Sequence, residues 1–210
     1  DEEFTSVDQN RFNNGEKGFV SYLSSPKDKY LLLSRYDGDL KRSVVELINL
    51  NKKEIVHVWK PHIDKINSYS KLSKDKVNLR KDHNLQRYLI IHPLLLKNGD
   101  LIIHGHVTPL IKIDLCSKMV WNLDYLVHHS IEKGQNSFWT PFTFFPATVD
   151  LGFDEAIGAT VTRFKDDGIL QFSVDGKILF KKSIIQIFID NGLEYLIFGG
   201  NVAYNQYNPT

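Results

Sequence analysis

Cysteine, long apolar runs and an excess of either charge are all scarce in this 210-residue sequence. The single thiol, Cys116, excludes an internal disulfide framework and any metal site built from several thiolates, although it leaves the redox compartment open. No apolar run reaches the roughly 18 residues of a membrane-spanning helix. The opening stretch, DEEFTSVDQN, lacks the basic and apolar regions of a signal peptide, so we predict no targeting segment in the sequence as given.

Balanced charge argues against a polyanionic partner. The 26 Lys and Arg residues offset 25 Asp and Glu residues, which leaves a formal net charge of +1. No overall field then attracts nucleic acid or a membrane surface, so nucleic acid is not expected as a partner. The sequence also lacks a glycine-rich phosphate loop, a serine nucleophile elbow and a supportable cysteine–histidine pair.

Internal repetition is the strongest positive signal. Three segments each show an alternating strand, a polar turn and a second strand that ends in an aromatic residue: VELINLNKKEIVHVW (45–59), LIKIDLCSKMVW (110–121) and ILQFSVDGKILF (169–180). Two further segments open on histidine and reach a new apolar strand at Leu101 and Phe138: HPLLLKNGDLII (92–103) and HSIEKGQNSFWT (129–140). In the first of these, Asn98-Gly99 predicts a tight hairpin turn, because both turn positions tolerate positive φ.

Hairpin plus hairpin gives four strands per repeat, the content of a β-propeller blade. We therefore predict a mainly β, propeller-like fold of about three four-stranded blades. The repeats fall at approximately 28–86, 87–125 and 126–199 of one partial domain, 1–210. A repeat of ~60 residues exceeds the usual ~40 to 50 and implies insertions, namely a basic loop at 60–87 and an aromatic segment at 141–160. One short helix is predicted near 182–191, with Asn191-Gly192 as its stop.

The eight histidines supply most of the candidate site residues. Three of them are interpreted as structural or solvent-facing: His57, His62 and His83. Successive side chains of a strand point to opposite faces, so an extended segment would aim only one of the adjacent His128 and His129 at a site. The repeat alignment selects His129, because it matches His92 in the preceding repeat, and leaves His128 to pack or support.

Groups that are cationic or can be protonated recur at one height of the repeats. His104 lies five residues before Pro109, and Arg163 has the same offset before Gly168. Equivalent residues on successive blades converge toward the propeller axis, so His92 and His129 are expected near it. Together with them, such groups suit the binding of a sulfate, phosphate or carboxylate. A neutral imidazole there can also carry a proton or act as nucleophile.

A metal site is not favoured by the sequence. No acidic residue has ligand-like spacing from the histidine pair. The DDG and NGD triplets, at 166–168 and 98–100, are interpreted as turns rather than as calcium ligands.

The order of these segments resembles the arylsulfotransferase-like proteins over most of the chain. The resemblance is carried by SVVELINLNKKEIVHVWKPHIDKIN, RYLIIHPLLLKNGDLIIHG, PLIKIDLCSKMVW, HHSIE followed by FWTP, and DDGILQFSVDGKILFKKSIIQIFIDNGLEYLIFG. It implies a β-propeller, six-bladed in the characterised enzymes, that is typically periplasmic or otherwise exported. It also implies transfer of a sulfuryl group from one phenol to another through a transient sulfohistidine, without a nucleotide cofactor.

The resemblance also assigns roles to residues. The family's paired-histidine motif falls on His129 and His128, the catalytic candidates, and Ser130 stands where an Asp is common. Substrate or anion binding is expected at three further residues: His92, His104 and Arg163. The expected partner is a small phenolic sulfate ester or another small anion, with no cofactor and no metal.

Two expectations concern assembly and the alternative function. Three repeats make about half of a six-bladed ring, so we expect a C-terminal half or self-association to complete it. The alternative function is a non-catalytic ligand-binding or protein-interaction module that uses the aromatic segment 138–145 and the basic loop 60–87.

Overall fold

The computed structural model describes residues 27–72, 77–148, 165–193 and 195–196, which form mainly β-structure in two antiparallel sheets. The predicted fold class, mainly β, is therefore confirmed. The first sheet holds three strands in chain order: β1 (Tyr30–Asp37), β2 (Arg42–Asn49) and β3 (Glu54–Trp59). The second sheet holds eight strands: β4 (Ile91–Leu95), β5 (Leu101–His104), β6 (Thr108–Ile113), β7 (Met119–Val127), β8 (Glu132–Lys133), β9 (Phe138–Phe144), β10 (Asp166–Phe172) and β11 (Ile178–Ser183).

The eight-stranded sheet consists of two four-stranded meanders. Each strand from β4 to β7 pairs with the next, and the same holds from β8 to β11. The two meanders are joined at what we call the seam, where Leu126 and Val127 of β7 pair with Thr143 and Phe142 of β9. Four strands per repeat are thus found in the second and third repeats, whereas the described part of the first repeat has three.

The three aligned hairpins correspond residue by residue. Their turns each place one residue in the left-handed region: Lys53 (φ 57°), Ser117 (φ 65°) and Gly176 (φ 80°). Three residues further on, each second strand carries one unpaired residue in a β-bulge: Val56, Val120 and Leu179. A turn closed by a left-handed residue is the usual way to build a three-residue hairpin loop. The repeat predicted from sequence is therefore also a repeat of backbone geometry.

The β4–β5 hairpin differs from the sequence prediction in its turn. Only Gly99 has positive φ (88°), and its N–H donates to the Leu96 carbonyl at 3.0 Å. The turn is therefore of the same three-residue kind as the others, and the hairpin predicted at Asn98-Gly99 is present. The predicted strand starts at Leu101 and Phe138 are confirmed as the first residues of β5 and β9.

Two buried clusters share the strands of the large sheet. Because neighbouring side chains alternate, Leu101 and Ile103 of β5 enter one cluster and Ile102 enters the other. The first cluster also takes Val45 and Trp59 from the three-stranded sheet, so it joins the two sheets. β5 is consequently buried on both faces, which explains its unbroken apolar sequence.

Two short helices complete the described fold. Helix α1 (Ile63–Asn67) lies in the basic loop, and α2 (Ile184–Asp190) is capped by Ser183, whose hydroxyl accepts the N–H of Gln186 at 3.2 Å. The predicted helix near 182–191 and its stop at Asn191-Gly192 are confirmed, with Gly192 at φ 66°. Within the described ranges, neither helix has the length and apolar content that a membrane crossing needs.

Candidate functional site

Six of the eight histidines form one electrostatically linked group, which we call the histidine cluster: His83, His92, His104, His106, His128 and His129. Positive charge on His92 or His128 disfavours protonation of His104, and His129 and His106 act in the same way on His128. His106 also acts on His83. The structure therefore brings together four of the predicted site residues. It adds His106, and also His83, which the sequence analysis interpreted as structural or solvent-facing. The fifth, Arg163, lies outside the described residues.

Left-handed backbone shapes the cluster. His92 (φ 44°) and His129 (φ 61°) are the residues that the repeat alignment made equivalent, and both have positive φ. Such a conformation is uncommon for residues other than glycine and costs of the order of 1 kcal/mol or more. The shared conformation supports the equivalence of the two positions.

The adjacent histidines do not alternate as predicted. β7 ends at Val127, so both residues lie beyond the strand, and the left-handed turn at His129 removes the two-residue period. The rings of His128 and His129 contact each other edge to face, with centroids 4.8 Å apart. The extended segment on which the alternation argument depended is therefore absent, although His128 is buried and His129 is exposed.

His104 is the buried centre of the cluster, with no exposed surface. Its Nδ1 donates to the Gly105 carbonyl at 2.7 Å, while Nε2 makes no hydrogen bond of ordinary geometry within the described structure. Burial lowers the pKa of His104, and the carbonyls of Gly105 and His129 only partly oppose this effect. The buried ring is therefore neutral, and its Nε2 carries a desolvation cost of about 1 to 3 kcal/mol.

His128 is held by a carboxylate of strand β10. Its Nε2 lies 3.2 Å from Oδ1 of Asp167, which also accepts the Thr143 hydroxyl at 2.8 Å. Burial lowers the pKa of His128, while the charge of Asp167 partly opposes the shift. Because the Asp167 side chain is 48 % exposed, we assign the pair no more than about 1 kcal/mol. Its main effect is to fix the orientation and tautomer of His128.

Asp167 was missed by sequence reasoning because DDG was interpreted as a turn. Asp166, Asp167 and Gly168 instead open strand β10. Asp166 is buried and accepts from Thr148 and Ser183, whereas Asp167 points to the opposite face and meets His128. The paired carboxylates therefore serve two faces of one strand, a pattern that alternation could have revealed once the strand was recognised.

The outer part of the cluster is accessible. His92, His106 and His129 are exposed, whereas His104 and His128 are buried. Next to Gly105 the Tyr88 hydroxyl lies 3.2 Å from Oγ1 of Thr108, and burial raises the pKa of Tyr88, so this phenol stays neutral. Among the described residues, no three His, Cys, Asp or Glu side chains are arranged to hold a metal ion. The arrangement suits proton transfer, nucleophilic attack by a neutral imidazole and binding of an oxyanion.

Comparison with known proteins adds no assignment. A scan against protein-family models found no match, and a search of curated proteins found none. Functional inference therefore rests on the chemistry of the histidine cluster and on the residues that support it.

Proposed function

We propose that this chain is an arylsulfotransferase-like protein that binds an aryl sulfate at the histidine cluster and moves its sulfuryl group to a phenol through a histidine. The observation that carries the proposal is the convergence of exposed and buried imidazoles beside a carboxylate-oriented His128. The repeated meanders and matching hairpins support a propeller-like arrangement of blades. The same resemblance suggests an exported, periplasmic protein that needs no nucleotide cofactor.

His129 is the proposed nucleophile because it is exposed and in ring contact with His128. In the first step a lone pair of its neutral imidazole attacks the sulfur, the aryl S–O bond breaks, and the phenolate leaves with the bonding electrons. The product is an N–S bonded sulfohistidine. His92 and His106 can donate N–H bonds to the sulfuryl oxygens, where charge gathers in the transition state.

His128 is the proposed base for the second step. Because Nε2 faces Asp167, Nδ1 keeps the free lone pair and accepts the proton of the incoming phenol. The phenol oxygen then attacks sulfur and the N–S bond breaks, which restores His129. Asp167 stabilises the imidazolium that His128 becomes, as an orienting carboxylate does in other nucleophile–base pairs.

The test is transfer of the sulfuryl group from 4-nitrophenyl sulfate to phenol, which is measured through the nitrophenolate that is released. We expect His129→Ala to reduce turnover at least about a hundredfold. His57→Gln, a change outside the cluster that retains a donor for the Leu115 carbonyl, should leave turnover unchanged. Mass spectrometry of the wild-type protein after rapid mixing should detect a sulfuryl adduct on His129. A folded wild-type protein without turnover, or an active His129→Ala variant, would refute the proposal.

A specific surface favours the alternative, a protein-interaction module. The last strand of each of the first two repeats contacts the turn of the next hairpin: His57 lies 2.9 Å from the Leu115 carbonyl, and Trp121 donates to the Val174 carbonyl at 3.1 Å. On β11 Phe180 has the position of His57 and Trp121, four residues after the left-handed turn residue, but it is 41 % exposed. A further hairpin, from a C-terminal half or a second copy, would cover it. Concentration-dependent association that Phe180→Ser abolishes, in a protein without turnover, would favour this alternative.

A further inference from the structure

A cavity lies apart from the histidine cluster, and none of the six clustered histidines lines it. It encloses about 470 Å³ between the end of β3, helix α1 and the β6–β7 turn. This size is within the range of small-molecule sites, ~300 to 1,000 Å³. We call it the basic cavity, because Lys60, Lys65 and Lys118 line it together with His62.

The walls of the basic cavity are fixed by contacts across the two sheets. The backbone N–H of Lys60 donates to the Ser117 hydroxyl at 2.8 Å, which ties the end of β3 to the β6–β7 turn. Just before it, the Trp59 indole donates to the Gly99 carbonyl at 3.2 Å. On the other side Ile63 and Ile66 anchor α1 in the core. The cavity is therefore built by ordered elements rather than by a loose loop.

The charge of the basic cavity has one sign. None of its three lysines forms an ion pair with a carboxylate of the described residues, and no acidic side chain lines the cavity. The nearest carboxylates in sequence already accept backbone N–H groups: Asp64 accepts from Leu85 and Asp114 from Lys118, each at 2.8 Å. A concave surface lined by one sign of charge concentrates ligands of the opposite sign.

The remaining lining is apolar and aromatic. Ile66 is buried, Met119 is half-buried, and the Tyr69 ring is largely exposed at the cavity edge. A thioether and a phenol ring both make favourable contacts with an aromatic ligand. We propose that the basic cavity binds an aromatic organic anion, a phosphate monoester or a carboxylate, with its charge at the lysines and its ring over Ile66 and Met119.

Cys116 offers a direct readout, because it lines the cavity, is exposed and is the only cysteine of the sequence. Its modification rate can be compared for an anionic aromatic disulfide, 5,5′-dithiobis(2-nitrobenzoate), and a neutral one, 4,4′-dithiodipyridine. Each rate is expressed relative to the reaction of the same reagent with a small thiol in solution. On this scale we expect Cys116 to react about tenfold or more faster with the anionic reagent and at an unchanged rate with the neutral one.

Charge-reversal variants identify the lysines responsible. Lys65→Glu combined with Lys118→Glu should abolish the acceleration by the anionic reagent. The matched control combines Lys81→Glu with Lys177→Glu; both lysines are exposed, and Lys177 has the equivalent place to Lys118 in the third hairpin. This control should retain the acceleration. Equal relative rates for the two reagents, or equal losses in both double variants, would overturn the proposal.

Binding itself is measured by protection of Cys116 from the neutral reagent. We expect 1-naphthyl phosphate to protect saturably, and inorganic phosphate and 1-naphthol to protect at least about tenfold less well. His129→Ala should retain this protection, which separates the cavity from the proposed transfer site. The absence of saturable protection by 1-naphthyl phosphate would overturn the proposal even if sulfuryl transfer is found.

Discussion

The left-handed turn residues of the three equivalent hairpins should respond differently to substitution. Lys53, Ser117 and Gly176 share one backbone conformation but differ in their side-chain contacts. We therefore consider the variants Lys53→Gly, Ser117→Gly and Gly176→Ala. Because the conformational cost is shared, we expect differences among the free energies of unfolding of the three variants to reflect their different side-chain contacts.

The magnitudes follow from two opposing contributions. A side chain in the left-handed region costs about 1 to 2 kcal/mol, whereas glycine adds about 0.4 to 1 kcal/mol of chain entropy to the unfolded state. Lys53 is exposed, so Lys53→Gly should stabilise the protein by about 1 kcal/mol. Ser117→Gly has the same gain but loses the hydroxyl that accepts the Lys60 N–H, worth about 1 kcal/mol, and should be nearly neutral.

Gly176→Ala should be the damaging member of the set. A Cβ at this position would lie 3.0 Å from the Trp121 ring, so the ring must shift and its bond to the Val174 carbonyl weakens. Together with the conformational cost, the expected loss is about 2 kcal/mol. Equilibrium urea unfolding, followed by circular dichroism and tryptophan fluorescence, gives the changes from the midpoints at constant slope. Destabilisation by Lys53→Gly, or an unchanged midpoint for Gly176→Ala, would refute the reasoning.

Two further predictions concern buried polar groups. Asp166→Ala removes the acceptor of three donors, namely the Thr148 N–H, the Thr148 hydroxyl and the Ser183 hydroxyl. The free energy of unfolding, measured in urea, should fall by about 3 kcal/mol. As a control, Asp175→Ala at an exposed position should change it little. The folded pKa values of three histidines are lowered, chiefly by burial: His83, His104 and His128. The unfolded chain therefore binds more protons below about pH 6.5, so stability should fall on acidification, more steeply in Asp167→Asn. A urea midpoint that stays constant from about pH 7.5 to about pH 5.5 would contradict this.

The hairpins could be predicted because their determinants are local. Alternation, polar turn residues and a following apolar run all lie within one short segment, and the same pattern recurs at 45–59, 110–121 and 169–180. Turn type was harder to predict. Asn98-Gly99 is compatible with two kinds of turn, and hydrogen bonding between Leu96 and Asp100 selects the longer one.

The candidate site was only partly predictable, because its supporting contacts are distant in sequence. His92, His104 and His129 were found from repeat spacing, which reports equivalent places on successive repeats, whereas His128 was a candidate through the paired-histidine motif of the resemblance. Asp167 lies 39 residues from His128 and is presented by a neighbouring strand, so no local pattern connects the two. The left-handed backbone at His129 also removes the extended segment on which the alternation argument depended.

The narrow seam between the two meanders determines how the protein tolerates deformation. In the described strands two residue pairs join β7 to β9, and the N–H of His128, directly after them, donates to the Pro141 carbonyl at 3.3 Å. If the angle between the two meanders changes, the seam acts as the hinge, and the displacement of a strand grows with its distance from the seam. β4 and β11 then move most, while His128, His129 and Asp167 move least. A change in the angle between the meanders would therefore alter the distances among these three residues least.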